Sequence, residues 1–361
     1  MIFDIALKIF LFLSPIIYKA GEKAFDVQLQ FFQFGIMALF ICSLFVKEKR
    51  ALKDKWLGGF LIVCFINVFH FNFHPVMAQA FLNIFLGAVL YYLVFACAKD
   101  IRSCLKVIIT VSILNTILAG FQFFKLDFVN KESIVCGFMN TTTHLGQYSA
   151  VAIPLTFLFN PYLALIPFLG LCLSKSITPF VAFVVGIIYF FRKKLFNLFG
   201  MVGFMSILSA FAFLIIRNYQ YTLMKITMRG ELWFNILKET FTRPFLGFGL
   251  GSFPLLSAQI YARQGQWDFI YNEYLGVAFS VGILGAVFFI LFLWDKFRNI
   301  NTKFQAILAT SCVIVAVICL GQSPLHFARM AGTIIPLFAF LEILKNTKKE
   351  EICDVNSLQG R

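Results

Sequence analysis

Charge is scarce in this 361-residue sequence: Asp, Glu, Lys and Arg together make up 13% of it, about half the roughly 25% usual in globular chains. Acidic residues are scarcer still, 17 against 31 basic ones, and there are only four histidines. So little polar material excludes a soluble enzyme and a disordered chain. Metal-ligand spacings are missing too. There is no acidic pair one residue apart, no His-x-x-x-His and no Cys pair at zinc spacing, so neither a metal nor a cofactor is expected. The nine cysteines do not form a disulfide framework. Cys42, Cys64, Cys97, Cys172, Cys312 and Cys319 lie in or beside apolar runs, Cys104 and Cys353 in basic segments, and Cys136 alone in an outward loop. The first apolar stretch, residues 2–18, has no basic leader and no small-residue cleavage site, so it reads as a span and not as a signal peptide.

What fills the sequence instead is apolar: 60% hydrophobic residues, including 49 Phe. The expected fold is all-α, a polytopic bundle forming one membrane domain over residues 1–361. Crossing about 30 Å of hydrocarbon takes about 20 apolar residues, which gives about twelve candidate spans. They cover residues 2–18, 25–46, 56–73, 76–98, 105–124, 145–159, 162–173, 177–191, 195–216, 272–294, 304–321 and 327–344. The pair near 160 and 170 is short and reads as tilted, broken or re-entrant.

A net charge of +14 raises the question of nucleic acid in a soluble chain; here it bears on sidedness, and no nucleic-acid partner is expected. Basic clusters fall at residues 47–55, at Lys99 and Arg102, at 192–194, at Lys296, Arg298 and Lys303, and in the tail, residues 345–361. Twelve spans put all of them on one face, the cytoplasm by the positive-inside rule, with both termini there. Residues 217–271 then form the one long outward loop, whose aromatic content predicts one or two helices along the membrane surface. All four histidines, His70, His74, His144 and His326, map to the outer end, and wet interfaces explain His70 and His74 sufficiently.

Outward basic residues run against that rule and are informative. Lys175, Arg217, Lys225, Arg229, Arg243, Arg263 and Arg329 gather there. Guanidinium forks match phosphate oxygens, so the cluster suits a ligand with a diphosphate at the lipid surface. Arg329 sits just inside the last span, where it needs a partner, an anionic ligand, or room to snorkel. Gly247, Gly249 and Gly251 disfavour a regular helix and read as a tight turn or a close backbone approach. Asn272 and Glu273 suit an N-cap and a first-turn carboxylate, and Gly282 with Gly285 suits close helix packing.

Taken as a set, these stretches resemble the O-antigen ligase and polymerase family of membrane glycosyltransferases. The family pattern of Arg, three residues and Trp, then Pro-x-x-Gly-x-Gly-x-Gly-x-Phe, is matched by Arg229, Trp233, Pro244, Gly247, Gly249, Gly251 and Phe253. A second motif is matched by Asn272, Gly282 and Gly285, and a Gly-x-Phe-x-Asn segment by residues ending at Asn140. Ser174-Lys175-Ser176 stands where relatives carry Ser-Arg, and Pro324-Leu325-His326 is similar to a turn before the last span of relatives that glycosylate pilins. The likeness covers about residues 135–335; the first half agrees in hydropathy alone.

The resemblance implies a donor glycan on undecaprenyl diphosphate and a lipid or saccharide acceptor, either lipid A core or a growing polysaccharide. It places the active site on the outer side of a bacterial cytoplasmic membrane, with surrounding membrane lipid as the other partner. It further implies Arg229, with Lys175, Arg217, Arg329 and Arg243, as diphosphate-binding residues. One position departs: the family's base or acceptor-orienting His is Tyr271 here, and a phenol with a reference pKa of about 10 is a poor base at neutral pH. His326 is the first substitute, Glu273 the second and Asp268 the third. The competing expectations are a flippase or transporter for lipid-linked oligosaccharide, for which Lys8 is the main buried cation, and a family member whose catalysis has decayed.

Overall fold

The computed structural model describes residues 1–17, 24–51, 54–71, 74–126, 135–139, 141–192, 219–260 and 269–359. Among the described residues every regular element is helical. The order is α1 (Ile2–Ile16), α2 (Ala24–Leu44), α3 (Lys55–His70), α4 (Pro75–Cys97), α5 (Ile101–Phe123) and α6 (Thr142–Thr156). A 3-10 turn (Pro161–Ala164) then runs into α7 (Leu165–Leu173), followed by α8 (Ile177–Phe191), α9 (Tyr219–Thr240) and α10 (Phe253–Ile260). Last come α11 (Glu273–Lys296), α12 (Lys303–Ile318), a 3-10 turn (Pro324–His326) and α13 (Ala328–Gln359).

Among the described residues four stretches are long and apolar enough to cross a membrane: Val27–Leu44, Pro75–Cys97, Ile101–Phe123 and Glu273–Lys296. Lys55–His70, Pro161–Leu173, Ile177–Phe191 and Lys303–Ile318 are apolar but shorter. The described residues thus form an all-helical bundle with four candidate spans where the sequence predicts about twelve. Capping is one reason for the short lengths. Asp54 accepts from the Leu57 amide at 3.0 Å and starts α3 there, while the Thr302–Gln305 capping box starts α12. A 16-residue helix covers about 24 Å, less than the hydrocarbon core. The expected span at 195–216 lies outside the described residues.

Outward faces are as apolar as the interior. α2 exposes Phe34, Met37, Phe40, Ile41 and Leu44, and α3 exposes Ile62, Phe65, Ile66 and Phe69. In water such three- and four-residue stripes would be polar; in lipid they match the solvent. At the centre sits α6, buried from His144 to Thr156, with α7 and α12 packed on it. Small residues permit that approach: Gly146 meets Ser174 and Gly170 meets Ser149 and Thr116, so α6 and the 161–173 segment run antiparallel along each other. The eight described cysteines other than Cys353 are free thiols.

Basic segments distant in sequence meet at one end of the bundle. Arg50 donates to the Ala98 carbonyl at 2.7 Å, Lys345 to the Asp295 carbonyl at 2.8 Å, and Lys8 to Asp100 at 2.7 Å. Lys8 therefore belongs to this end and is not a cation held at mid-bundle, the placement a transporter reading asks for. Lys296, 1% exposed, bridges Asp54 at 2.6 Å and Glu342 at 3.3 Å, tying α11 to the start of α3 and to α13. Lys296→Met would leave buried carboxylates uncompensated and is expected to destabilise the fold by about 3–5 kcal/mol. Thermal unfolding in detergent measures this, and adding Asp54→Asn, which keeps the cap and removes one charge, should recover most of the loss.

Candidate functional site

The opposite end is organised by a break in a helix. Gly282 in α11 has φ 81° and ψ 175°, outside helical geometry, and a Cβ there would meet the Phe245 carbonyl. Breaking the helix leaves amides and carbonyls without intrahelical partners, and buried groups of that kind need others. The glycine-rich loop supplies them. Phe248 N donates to Phe279 O at 2.8 Å, Gly249 N to Ser280 O at 2.9 Å, and Ile283 N to Pro244 O at 2.7 Å. Gly247 has φ 64° and lies so close to Phe279 and Ser280 that a side chain has no room.

The two glycine motifs are therefore halves of one joint. Of the two readings of the 247–251 run, close backbone approach to another helix is the one the structure shows, and one expectation is corrected: Gly282 is a helix break, not one of a helix-packing pair. Gly285 does lie in the helix after the break, with Val63 of α3 nearby. Asn67, fully buried in α3, clamps the joint: Nδ2 donates to Leu246 O at 2.6 Å and Ser280 O at 3.2 Å, and Oδ1 accepts from Leu250 N at 3.0 Å. Sequence reasoning passed over Asn67, although a lone amide in an apolar helix is the available signal. Asn67→Ala strands the Leu250 amide and the Leu246 carbonyl at about 1–3 kcal/mol each, while the Ser280 carbonyl keeps the Gly249 amide. Faster amide exchange confined to residues 246–250 is the expected result.

α9 precedes the loop and α10 follows it, which makes two helices among the described residues of the 217–271 segment. α9 packs on α11, and Leu232 and Ile236 share a small core with Phe253, Ile270 and Phe279. Arg229 and Trp233 are one helical turn apart, so both reach the 270–271 strand of chain from one face. Trp233 Nε1 donates to Ile270 O at 2.8 Å, and the Arg229 guanidinium lies 4.7 Å over the Tyr271 ring. Arg229 also donates to Gly321 O at 2.9 Å. The Arg-x-x-x-Trp spacing thus has a structural meaning: it bolts α9 to the turn that opens α11. Tyr271 holds φ 56°, a left-handed position rare for a non-glycine residue.

Asn272 caps α11, accepting from Leu275 N at 3.0 Å. Glu273 has a larger role than a first-turn carboxylate. It is 3% exposed, its amide donates to Cys319 O at 2.8 Å, and its carboxylate accepts from Leu325 N at 2.8 Å. His326 Nδ1 stands 3.0 Å from Oε2 of the same carboxylate. The His326 side chain is 53% exposed. Desolvation pulls its proton affinity down, but the Glu273 charge and hydrogen bond outweigh this and raise its pKa above the ordinary histidine value. A buried carboxylate that holds Nδ1 leaves Nε2 to move protons, the arrangement that orients histidine bases generally.

Phe269 joins these parts, its ring 5.8 Å from His326, 6.3 Å from Tyr271 and 5.2 Å from Phe327, and His144 packs 4.3 Å from Phe327. Arg229, Tyr271, Glu273 and His326 are therefore one neighbourhood. Arg329 is placed otherwise than expected. It is 1% exposed, and its guanidinium donates to Phe138 O and, at 2.6 Å, to Ile17 O. Main-chain carbonyls thus engage two of its nitrogens, which makes it a staple between α13, the 135–139 segment and the end of α1 rather than an open anion holder. Asn115 and Gln122 shape that same segment by accepting from the amides of Phe138, Cys136 and Gly137.

Lys175 is exposed at φ 49° between α7 and α8, on the same end as Gly321, whose nearest neighbour is Thr178. Arg243 is exposed and stacks 4.9 Å over Phe248, beyond the end of α9, whose last residue is about three turns from Arg229. Arg217, Asp268 and Asn140 lie outside the described residues, as does Arg263. The site thus offers an oriented histidine, a buried carboxylate and a neighbouring guanidinium at one end of an apolar bundle. No known family model and no curated protein matches this sequence, so the likeness to O-antigen ligases rests on its motifs.

Proposed function

We propose that this protein is a membrane glycosyltransferase of the O-antigen ligase or polymerase type. It moves a glycan from an undecaprenyl diphosphate carrier to a hydroxyl of lipid A core or of a growing polysaccharide. The observation that carries this reading is the Glu273–His326 pair beside Arg229, with Tyr271 at the position the family gives to histidine. The loss of one base is thereby matched by another, 55 residues on in sequence but in the same neighbourhood.

In this reaction the acceptor oxygen attacks the anomeric carbon on the face opposite the diphosphate. The bond from that carbon to the phosphate oxygen breaks, its electron pair leaves with the diphosphate, and the acceptor proton passes to Nε2 of His326. Glu273 stabilises the imidazolium that results. Arg229, with Lys175 and Arg217, receives the charge developing on the diphosphate, usually the largest single catalytic contribution. Arg243, beyond the end of α9, is stacked on Phe248 of the glycine loop and is not assigned that task, and Arg329 holds the scaffold. The site faces the outer side of a bacterial cytoplasmic membrane, with the basic end and both termini in the cytoplasm, as the positive-inside rule requires.

The transporter reading has less support, because its buried cation, Lys8, is engaged with Asp100 at the basic end. Membranes carrying Arg229→Ala, supplied with a lipid-linked glycan donor, test the proposal. Transfer is expected to fall about 10²-fold or more, in line with the loss of one transition-state charge donor. Unchanged turnover removes Arg229 from the mechanism.

A further inference from the structure

At the basic end, away from the site above, two hollows meet. One is an apolar slot of about 200 Å³ between α6, α7, α8 and α12, lined by Phe157, Phe168, Phe183, Phe191, Ile307 and Ile314 among others. Among the described residues lining it, Thr310 is the one polar side chain. The other is a basin of about 210 Å³ lined by Arg102, Lys303, Phe159 and Phe304. Phe157 and Ile307 line both, so the slot opens into the basin.

Among the described residues the basin lining holds two cations, Arg102 and Lys303, and no acidic residue. Arg102 sits over the Phe304 ring at 5.9 Å, and Lys106, one turn further along α5, sits over Phe159 at 5.3 Å. Among the described residues none of Arg102, Lys106 and Lys303 forms an ion pair, whereas Lys8, Lys99, Lys296 and Lys345 at the same end all do. Two exposed cations over phenyl rings, with the exposed Lys303 on the basin wall, form a pocket for an anion. The greasy slot beneath, with Leu165, Phe157 and Phe191 exposed at its rim, forms a channel for hydrocarbon.

We propose that this composite pocket binds one anionic phospholipid, its phosphate on Arg102, Lys106 and Lys303 and one acyl chain in the slot. A soluble phosphate has no use for the slot, and a neutral lipid none for the three cations. Basic pockets between helices at a membrane surface hold anionic head groups by this combination of charge and hydrocarbon contact. The inference rests on the bundle being embedded in lipid and is independent of glycan transfer, so either reading can fail alone.

The test uses the full chain in detergent and counts lipids retained in native mass spectrometry after titration with phosphatidylglycerol or phosphatidylcholine. Phosphatidylglycerol is expected to be retained at one copy, and phosphatidylcholine more weakly. Arg102→Gln/Lys106→Gln/Lys303→Gln should weaken phosphatidylglycerol about a hundredfold, given the usual contribution of a basic residue near an anionic surface. Lys47→Gln/Lys49→Gln/Arg298→Gln removes as much charge from the same end outside the basin and should change little. Ala164→Trp, which fills the slot and leaves every charge in place, should also weaken retention. Equal loss in both charge variants, equal retention of the two lipids, or no effect of filling the slot overturns the proposal.

Discussion

His326→Ala is expected to lower glycan transfer about 10²- to 10⁴-fold, the usual contribution of a placed general base, with little effect on folding. The small folding effect follows from the half-exposed ring, while Glu273 keeps its bonds to the Leu325 amide and to no other element that the histidine controls. The pH dependence gives a sharper check. Neutral His326 is the active base, and its pKa is raised, so transfer should climb as pH passes upward through that raised value and level off above it. Glu273→Gln removes the charge responsible, so the climbing limb should move to lower pH while the plateau falls with the weaker base. A decayed enzyme would show no such limb, and transfer that ignored both substitutions would sink the assignment.

Stability should carry the opposite sign. Because folding raises the His326 pKa, the pair's contribution is fully present below the unfolded value of 6.5 and is lost as pH rises through the folded value. Unfolding midpoints of the wild type and Glu273→Gln should therefore differ most on the acid side of that window and converge above it, with the solvent-exposed ring keeping the difference small.

The second large effect is expected at Gly282. A Cβ at φ 81° is strained in itself, and here it would overlap the Phe245 carbonyl, a main-chain group that cannot move aside as a side chain end can. Gly282→Ala should therefore open the joint: the bonds from Phe248, Gly249 and Ile283 are lost together because each depends on the same close approach. Transfer should fall as far as it does in His326→Ala, since the first turns of α11 position Glu273. The distinguishing observation is amide exchange. It should quicken across residues 244–250 in Gly282→Ala and stay unchanged there in His326→Ala. Full transfer by Gly282→Ala would show that the break is incidental to the site.

Much of this protein follows from local sequence alone. The run at 177–191 gives α8 with the same bounds, and 76–98 and 272–294 give α4 and α11 to within two residues, because long apolar runs end at caps such as Asn272. The basic clusters likewise gather at one end, as charge cannot stay in hydrocarbon. Arg229, Trp233, the three loop glycines and the candidate base His326 were legible as residues worth attention, each by type and spacing. Their partners were not. That Gly282 breaks α11, that Asn67 clamps a loop more than 170 residues away, and that Arg329 is bound to Phe138 and Ile17 while Arg229 lies beside Tyr271 depend on pairings between remote segments. Main-chain groups freed inside an apolar bundle must find partners wherever tertiary packing brings them, and a hydropathy pattern holds no record of which carbonyl meets which amide.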